Sequence, residues 1–128
     1  MGKRTTKQRE AIRKVFEDER RPLGTAEVLE LVEKDVPSIG IATIYRAVKD
    51  LLAEEWLVAV SIAGNTRYEL ANIGHHHHFH CNECDKTFDL EGCVGDLSKL
   101  VPEAFKILSH EITIMGMCQS CNTGAISS

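Results

Sequence analysis

Up to Leu52 the apolar positions recur at helical spacing, and beyond Trp56 they alternate. Ala11, Ile12, Val15 and Phe16 fall at i, i+1, i+4 and i+5, the buried stripe of a helix that Thr5 or Thr6 can cap and that runs to Glu19. Pro22 and Gly24 stop it. Thr25 can cap a second helix over Ala26 to Lys34, with Val28, Leu29, Leu31 and Val32 in its stripe, and Asp35-Val36-Pro37-Ser38 reads as a turn. In Ile41 to Glu54, residues Ile41, Ile44, Val48, Leu51 and Leu52 share one face of a third helix, and Thr43, Tyr45, Arg46, Lys49 and Asp50 lie on the other.

The alternating stretches 57–62 and 66–70, separated by Ala63-Gly64-Asn65, predict a β-hairpin. Three helices followed by a hairpin is the order of a winged helix-turn-helix. In that arrangement the third helix enters the major groove and offers Tyr45 and Arg46, while the wing offers Arg67 to the phosphate backbone. The same helical shape also occurs in protein-binding modules. Past Ala71-Asn72-Ile73-Gly74 the chain reads as mainly β: a strand through HHHHFHC, a continuation at Thr87 to Leu90, a short helix from Val94 to Val101 ended by Pro102, and a strand from Phe105 to Met117.

Charge sharpens the picture. The 128 residues carry a net charge of −4, yet Lys3, Arg4, Lys7, Arg9, Arg13 and Lys14 face the single acid Glu10 within residues 1–14, while residues 51–128 hold four basic and ten acidic residues. Any polyanion-binding surface therefore belongs to the amino-terminal end, although a basic cluster on a helix is also the ordinary look of a solvated face. At 43% apolar the composition is that of a globular protein. Its length suits one domain or two small ones, and a half of some 55 to 70 residues needs a metal or a partner to stabilise it. The chain opens without an apolar signal segment, and no stretch is long enough to span a membrane, so the expected location is the cytoplasm.

Two Cys-x-x-Cys pairs, Cys81/Cys84 and Cys118/Cys121, bracket most of the second half, and His75 to His78 with His80 lead into the first. In a reducing compartment such pairs are zinc knuckles or redox centres, and two pairs without a βαβ pattern favour four thiolates around one structural Zn2+. The histidine run is internal and interrupted by Phe79, unlike a purification tag. On a strand, His76, His78 and His80 point one way and His75, His77, Phe79 and Cys81 the other, so one strand can feed two different metal centres.

The ordered combination RTTKQR, IATIYRAV, HHHHFHCNEC and GMCQSC resembles the ferric uptake regulator family of metal-dependent bacterial repressors over nearly the whole chain. The resemblance implies an α+β protein: a winged helix-turn-helix DNA-binding domain at 1–72, then a small α/β dimerisation domain at 73–128 with a four-cysteine zinc site. It implies a cytoplasmic homodimer on a palindromic double-stranded DNA operator, with no membrane partner and no enzymatic activity. DNA contacts are then expected from Lys3, Arg4, Arg9, Thr43, Tyr45, Arg46, Lys49 and Arg67.

Carried over by position, the structural zinc falls on Cys81, Cys84, Cys118 and Cys121. The regulatory metal (Zn2+, Fe2+ or Mn2+) falls on His76 and His78, five and three places before Cys81, and on Glu69, twelve places before it. The family's amino-terminal histidine ligand has no counterpart; Leu23 stands roughly there, and His80 is the preferred substitute. An additional site would use His75, His77, His110 and a downstream carboxylate, with Asp96 preferred and Glu91 or Cys93 as alternatives. The alternative readings are a buried strand histidine for His110 and a small core residue for Cys93. The expected function is a metal-responsive repressor of uptake or homeostasis genes, switched when metal gathers ligands on either side of the hinge. Peroxide sensing and zinc storage or delivery without DNA binding are the alternatives. A zinc hydrolase is disfavoured because no His-Glu-x-x-His helix is present.

Overall fold

A computed structural model describes residues 2–72, 76–92 and 95–122, with the side chains of residues 2–5 excepted. Lys3, Arg4, His75 and Cys93, all singled out above, lie outside the described side chains. The chain forms two compact units, Met1–Ile73 and Gly74–Ser128. No described helix is long and apolar enough to cross a membrane.

The first unit contains helices α1 (Gly2–Glu19), α2 (Thr25–Val32) and α3 (Ile41–Ala53), then strands β1 (Leu57–Ile62) and β2 (Asn65–Leu70). Its stripes converge on one core of Ile12, Phe16, Leu23, Val28, Val32, Ile39, Ile44, Ala47, Val48, Leu51 and Leu57. Phe16 meets Trp56 edge-on, with centroids 6.4 Å apart, and the Arg13 guanidinium lies 5.5 Å above the same indole. Ile41, expected in the stripe, is 39% exposed at the start of α3. The α2 cap also differs from expectation: Gly24 is the N-cap, and the Glu27 carboxylate accepts its N–H at 3.3 Å.

The wing turn is two residues long rather than three. Ile62 pairs with Asn65, and Ala63 and Gly64 both take left-handed φ values of 51° and 84°, as the twist of a two-residue hairpin demands. Leu23 joins this ladder through mutual backbone hydrogen bonds with Tyr68 of 2.8 and 2.9 Å.

In the second unit, β3 (His77–Cys81) is the central strand of a sheet ordered β4-β3-β5, with β4 (Thr87–Leu90) antiparallel and β5 (Thr113–Gly116) parallel to it. The helix expected at 94–101 is reduced to a 3₁₀ turn at Ser98–Leu100. Gly95 is left-handed, and Asp96 turns back to accept the Ser98 N–H at 2.9 Å and its hydroxyl at 3.0 Å, a local bond that competes with helix. The strand expected from Phe105 to Met117 forms only over β5; the segment before it has no ladder, and Ala104 adopts φ 75°.

The two units are stabilised differently. Among the described residues, every buried hydrocarbon side chain belongs to the first unit; the second buries Cys81, His77, His78, His80 and Thr87. Leu100, Phe105 and Leu108 are 78%, 67% and 84% exposed. Replacing Phe16 with Ala should cost the first unit about 3–5 kcal/mol, read as a lower urea midpoint for helix loss, with the zinc content unchanged.

Candidate metal centres and nucleic-acid surface

The sheet topology builds the four-sulfur centre. Because β5 runs parallel to β3, with Cys81 opposite Gly116, both strands end at the same edge, and Cys118 arrives beside Cys81. Each Cys-x-x-Cys closes as a tight turn: Asp85 N–H reaches the Cys81 carbonyl at 2.9 Å and Cys121 N–H the Cys118 carbonyl at 3.1 Å. The four sulfurs lie within 4.8 Å of one another, and Cys84 Sγ is 3.8 Å from Cys118 Sγ. An ion about 2.3 Å from four tetrahedral sulfurs spaces them about 3.8 Å apart, so the donor set fits zinc.

Backbone amides prepare the buried sulfur. Cys84 N–H and Cys118 N–H each point at Cys81 Sγ from 3.4 Å. These bonds, that of Cys84 first, hold the Cys81 thiol down at about 6 against the opposing effect of burial. The Lys86 amide also favours a Cys84 thiolate, but burial and the sulfurs of Cys81 and Cys118 outweigh it and raise that thiol. Hydrogen bonding to the sulfurs of Cys118 and Cys81 pushes Cys121 up to about 12.

A second donor set stands on β3, the residue before it, and β4. Asp89 Oδ1 is 3.4 Å from both His76 Nε2 and His78 Nε2, and the two imidazoles meet edge-on with centroids 4.9 Å apart. Asp89 was missed from sequence, although the antiparallel register that sets His78 opposite it is legible once β3 and β4 are paired. His80, expected beside His76 and His78, instead bonds Thr87 and Asp85. Glu69, near the end of β2, is 2% exposed. Leu23 is wholly buried in the apolar core.

For the additional site, His77 and His110 come together, ring centroids 5.0 Å apart, and His77 Nδ1 accepts the Ile112 N–H at 3.2 Å. Asp96 is held by Ser98, so the carboxylate expected there is engaged in its own turn.

The outer face of α3 presents Tyr45, 56% exposed, with Arg46 and Lys49 also exposed and Thr43 half-buried. Arg46 donates to Thr43 Oγ1 at 3.2 Å. Two expected contributors are committed elsewhere. Arg67 is 5% exposed and ion-paired to Glu27 at 3.0 Å, because alternation along the short wing turns it inward toward α2, where Arg21 also binds Glu27. Arg67 therefore faces α2 and not the solvent side of the wing where the phosphate contact was expected. Arg9 pairs with Asp50 and Glu54, and Arg13 with Glu54, tying α1 to α3.

Protons compete with zinc for the sulfurs. A raised thiol must release its proton for zinc to bind, so affinity falls as pH falls. Cys81, depressed to about 6, is already thiolate at neutral pH and joins the competition only below that value. The slope of log zinc affinity against pH should therefore steepen by about one below about pH 6, measured against a competing chelator. Cys81→Ser should release the zinc and remove amide-exchange protection from β3 and β5; retained zinc and protection would contradict a structural centre.

The model of the ferric uptake regulator family matches residues 1–115. The ferric uptake regulation protein of Bacillus subtilis (strain 168) is 34% identical over 125 residues, spanning 91% of this chain and 84% of that protein. The peroxide-responsive repressor PerR of Staphylococcus aureus (strain USA300) is 28% identical over 127 residues, spanning 94% and 83%. A solved structure of a zinc-bound manganese uptake regulator shares the fold with a TM-score of 0.75 over 87% of each chain, at 21% identity. With a metal-ready sulfur centre, a recognition-type helix and these likenesses in place, the chain belongs to the ferric uptake regulator family of metal-dependent transcription regulators and is not an enzyme.

Proposed function

We propose that the chain is a repressor that binds a palindromic DNA operator as a homodimer when a divalent metal occupies His76, His78 and Asp89. The observation that carries the reading is this two-histidine, one-carboxylate set, a group of donors apart from the four sulfurs, in a chain whose α3 exposes Tyr45, Arg46 and Lys49. Bases and phosphates would be met by that face, with Thr43 at its margin. Lys3, Arg4 and Arg9 are proposed as supporting phosphate contacts at the amino-terminal end, Arg9 having first to leave its carboxylates.

Glu69 is the carboxylate that the sequence assigns to the same ion. With ligands divided between the wing strand and the sheet of the second unit, metal would favour those arrangements of the units in which the ligands meet, and its differential affinity sets how far the population shifts. Exposed Ile114 and Met115 on the edge strand β5, with Leu108 and Phe105 nearby in sequence, support self-association through the second unit.

Zinc is the proposed signal. Its support is the donor chemistry, two imidazoles whose Nε2 atoms each lie 3.4 Å from Asp89 Oδ1, a nitrogen-rich set that suits zinc. A second reading, peroxide sensing through iron at these residues, is favoured by the likeness to the S. aureus peroxide-responsive repressor.

Fluorescence anisotropy on DNA from the protein's own promoter, titrated with Zn(II), Mn(II) and anaerobic Fe(II), tests the reading. Zn(II) should give the tightest binding, and His78→Ala should abolish the response while keeping the four-sulfur zinc. Arg46→Ala and Tyr45→Ala should each weaken binding roughly tenfold or more without zinc loss. Peroxide-sensitive binding only with Fe(II) would select the second reading; unchanged affinity in both α3 variants would remove α3 as the reader.

A further inference from the structure

We infer that His80 is a positioning residue of the four-sulfur centre, a latch on the turn that aims Cys81 and Cys84, and not a ligand of the neighbouring histidine site. The inference rests on the reading of the four cysteines as a zinc centre.

His80 is 3% exposed, and both ring nitrogens are used. Nδ1 is 3.0 Å from Thr87 Oγ1, and Nε2 is 3.1 Å from Asp85 Oδ1. A neutral imidazole protonated at Nε2 satisfies both contacts: it donates to the Asp85 carboxylate and accepts from the Thr87 hydroxyl. No ring nitrogen is left for a metal. Thr87 stands opposite His80 in the β3–β4 register and is wholly buried, so the ring is held at a defined height on the sheet.

The contact to Asp85 spans the knuckle. His80 immediately precedes Cys81 and Asp85 immediately follows Cys84, so the latch closes the turn from outside both sulfurs. Backbone bonds close it from inside: Asp85 N–H to the Cys81 carbonyl and Cys81 N–H to the Lys86 carbonyl, both 2.9 Å. Asp85 sits at φ 63°, a left-handed conformation that glycine adopts freely and a residue with a Cβ only at some cost. Its side chain is 68% exposed, so burial does not hold it, and the imidazole gives it a buried anchor. Release of that side chain would let residue 85 relax toward negative φ, a rotation that carries Lys86 out of place, its carbonyl away from the Cys81 N–H and its amide away from the Cys84 sulfur.

The latch makes a non-additive prediction. In the full-length zinc-loaded protein, transfer of zinc to a chromogenic chelator should speed up roughly tenfold in His80→Ala. Asp85→Ala, changed at an exposed position, should do the same because it keeps the Cβ and loses the tether. Asp85→Gly, which loses the tether together with its need, should release zinc within about twofold of the unaltered chain, and His80→Ala added to it should have no further effect. The Co(II)-substituted protein should show the same pattern, with a perturbed thiolate charge-transfer spectrum in His80→Ala and Asp85→Ala only. Loss of the second metal in His80→Ala with zinc release unchanged would make His80 a ligand and overturn the inference, as would an equal effect of His80→Ala in the aspartate and glycine backgrounds. A parent protein lacking the tetrathiolate Co(II) spectrum would overturn the four-sulfur reading itself.

Discussion

Sulfur coordination is the constraint on which the second unit depends. Its sheet has three short strands, and among the described residues its buried side chains are one cysteine, three histidines and a threonine. Such a set cannot supply the area-proportional stabilisation that a small domain draws from aliphatic burial. A metal bound by four sulfurs supplies a different kind of term, because its binding free energy is available only to the folded arrangement of the ligands. The polar interior is then a consequence, since imidazoles can be buried where metals and hydrogen bonds take the place of water.

The first unit solves its problem in the ordinary way, and this separates its two tasks. Apolar stripes on three helices and the wing share one core, so the outer face of α3 is free of any packing duty. The ion pairs from Arg9 and Arg13 to Asp50 and Glu54 bind α1 to the far half of α3. They neutralise part of the amino-terminal basic cluster and leave Arg46 and Lys49 as the exposed positive charges of α3. The Arg21–Glu27–Arg67 set is more buried, where ion pairs serve register better than net stability; here it fixes the wing against α2.

Much of this was legible in the sequence, and the exceptions share a cause. Helical stripes and strand alternation located α1 to α3, the hairpin, β3 and β4, because each follows from local period alone. The four cysteines were legible because spacing within a knuckle is also local. What failed required knowledge of partners across the chain. Arg67 looked like a wing cation until pairing placed it on the inner face; Asp89 became visible only through its register with His78; His80 shared a strand face with His76 and His78 yet was claimed by Thr87 and Asp85. Among the described residues, the helix expected at 94–101 lost to a side-chain turn at Asp96 that composition did not announce.

The parallel pairing of β3 with β5 has a further meaning for how such a chain can vary. It brings both knuckles to one edge of the sheet, so that the sulfurs pin the two ends of everything between Cys84 and Cys118, positions 34 apart in sequence. A loop pinned at both ends is insensitive to its own length: doubling it costs only about 0.6 kcal/mol. The stretch between β4 and β5 can therefore be shortened, extended or stripped of its helix while the metal centre keeps its geometry. Length variation in this family's second unit should accumulate there, with the knuckles as fixed points.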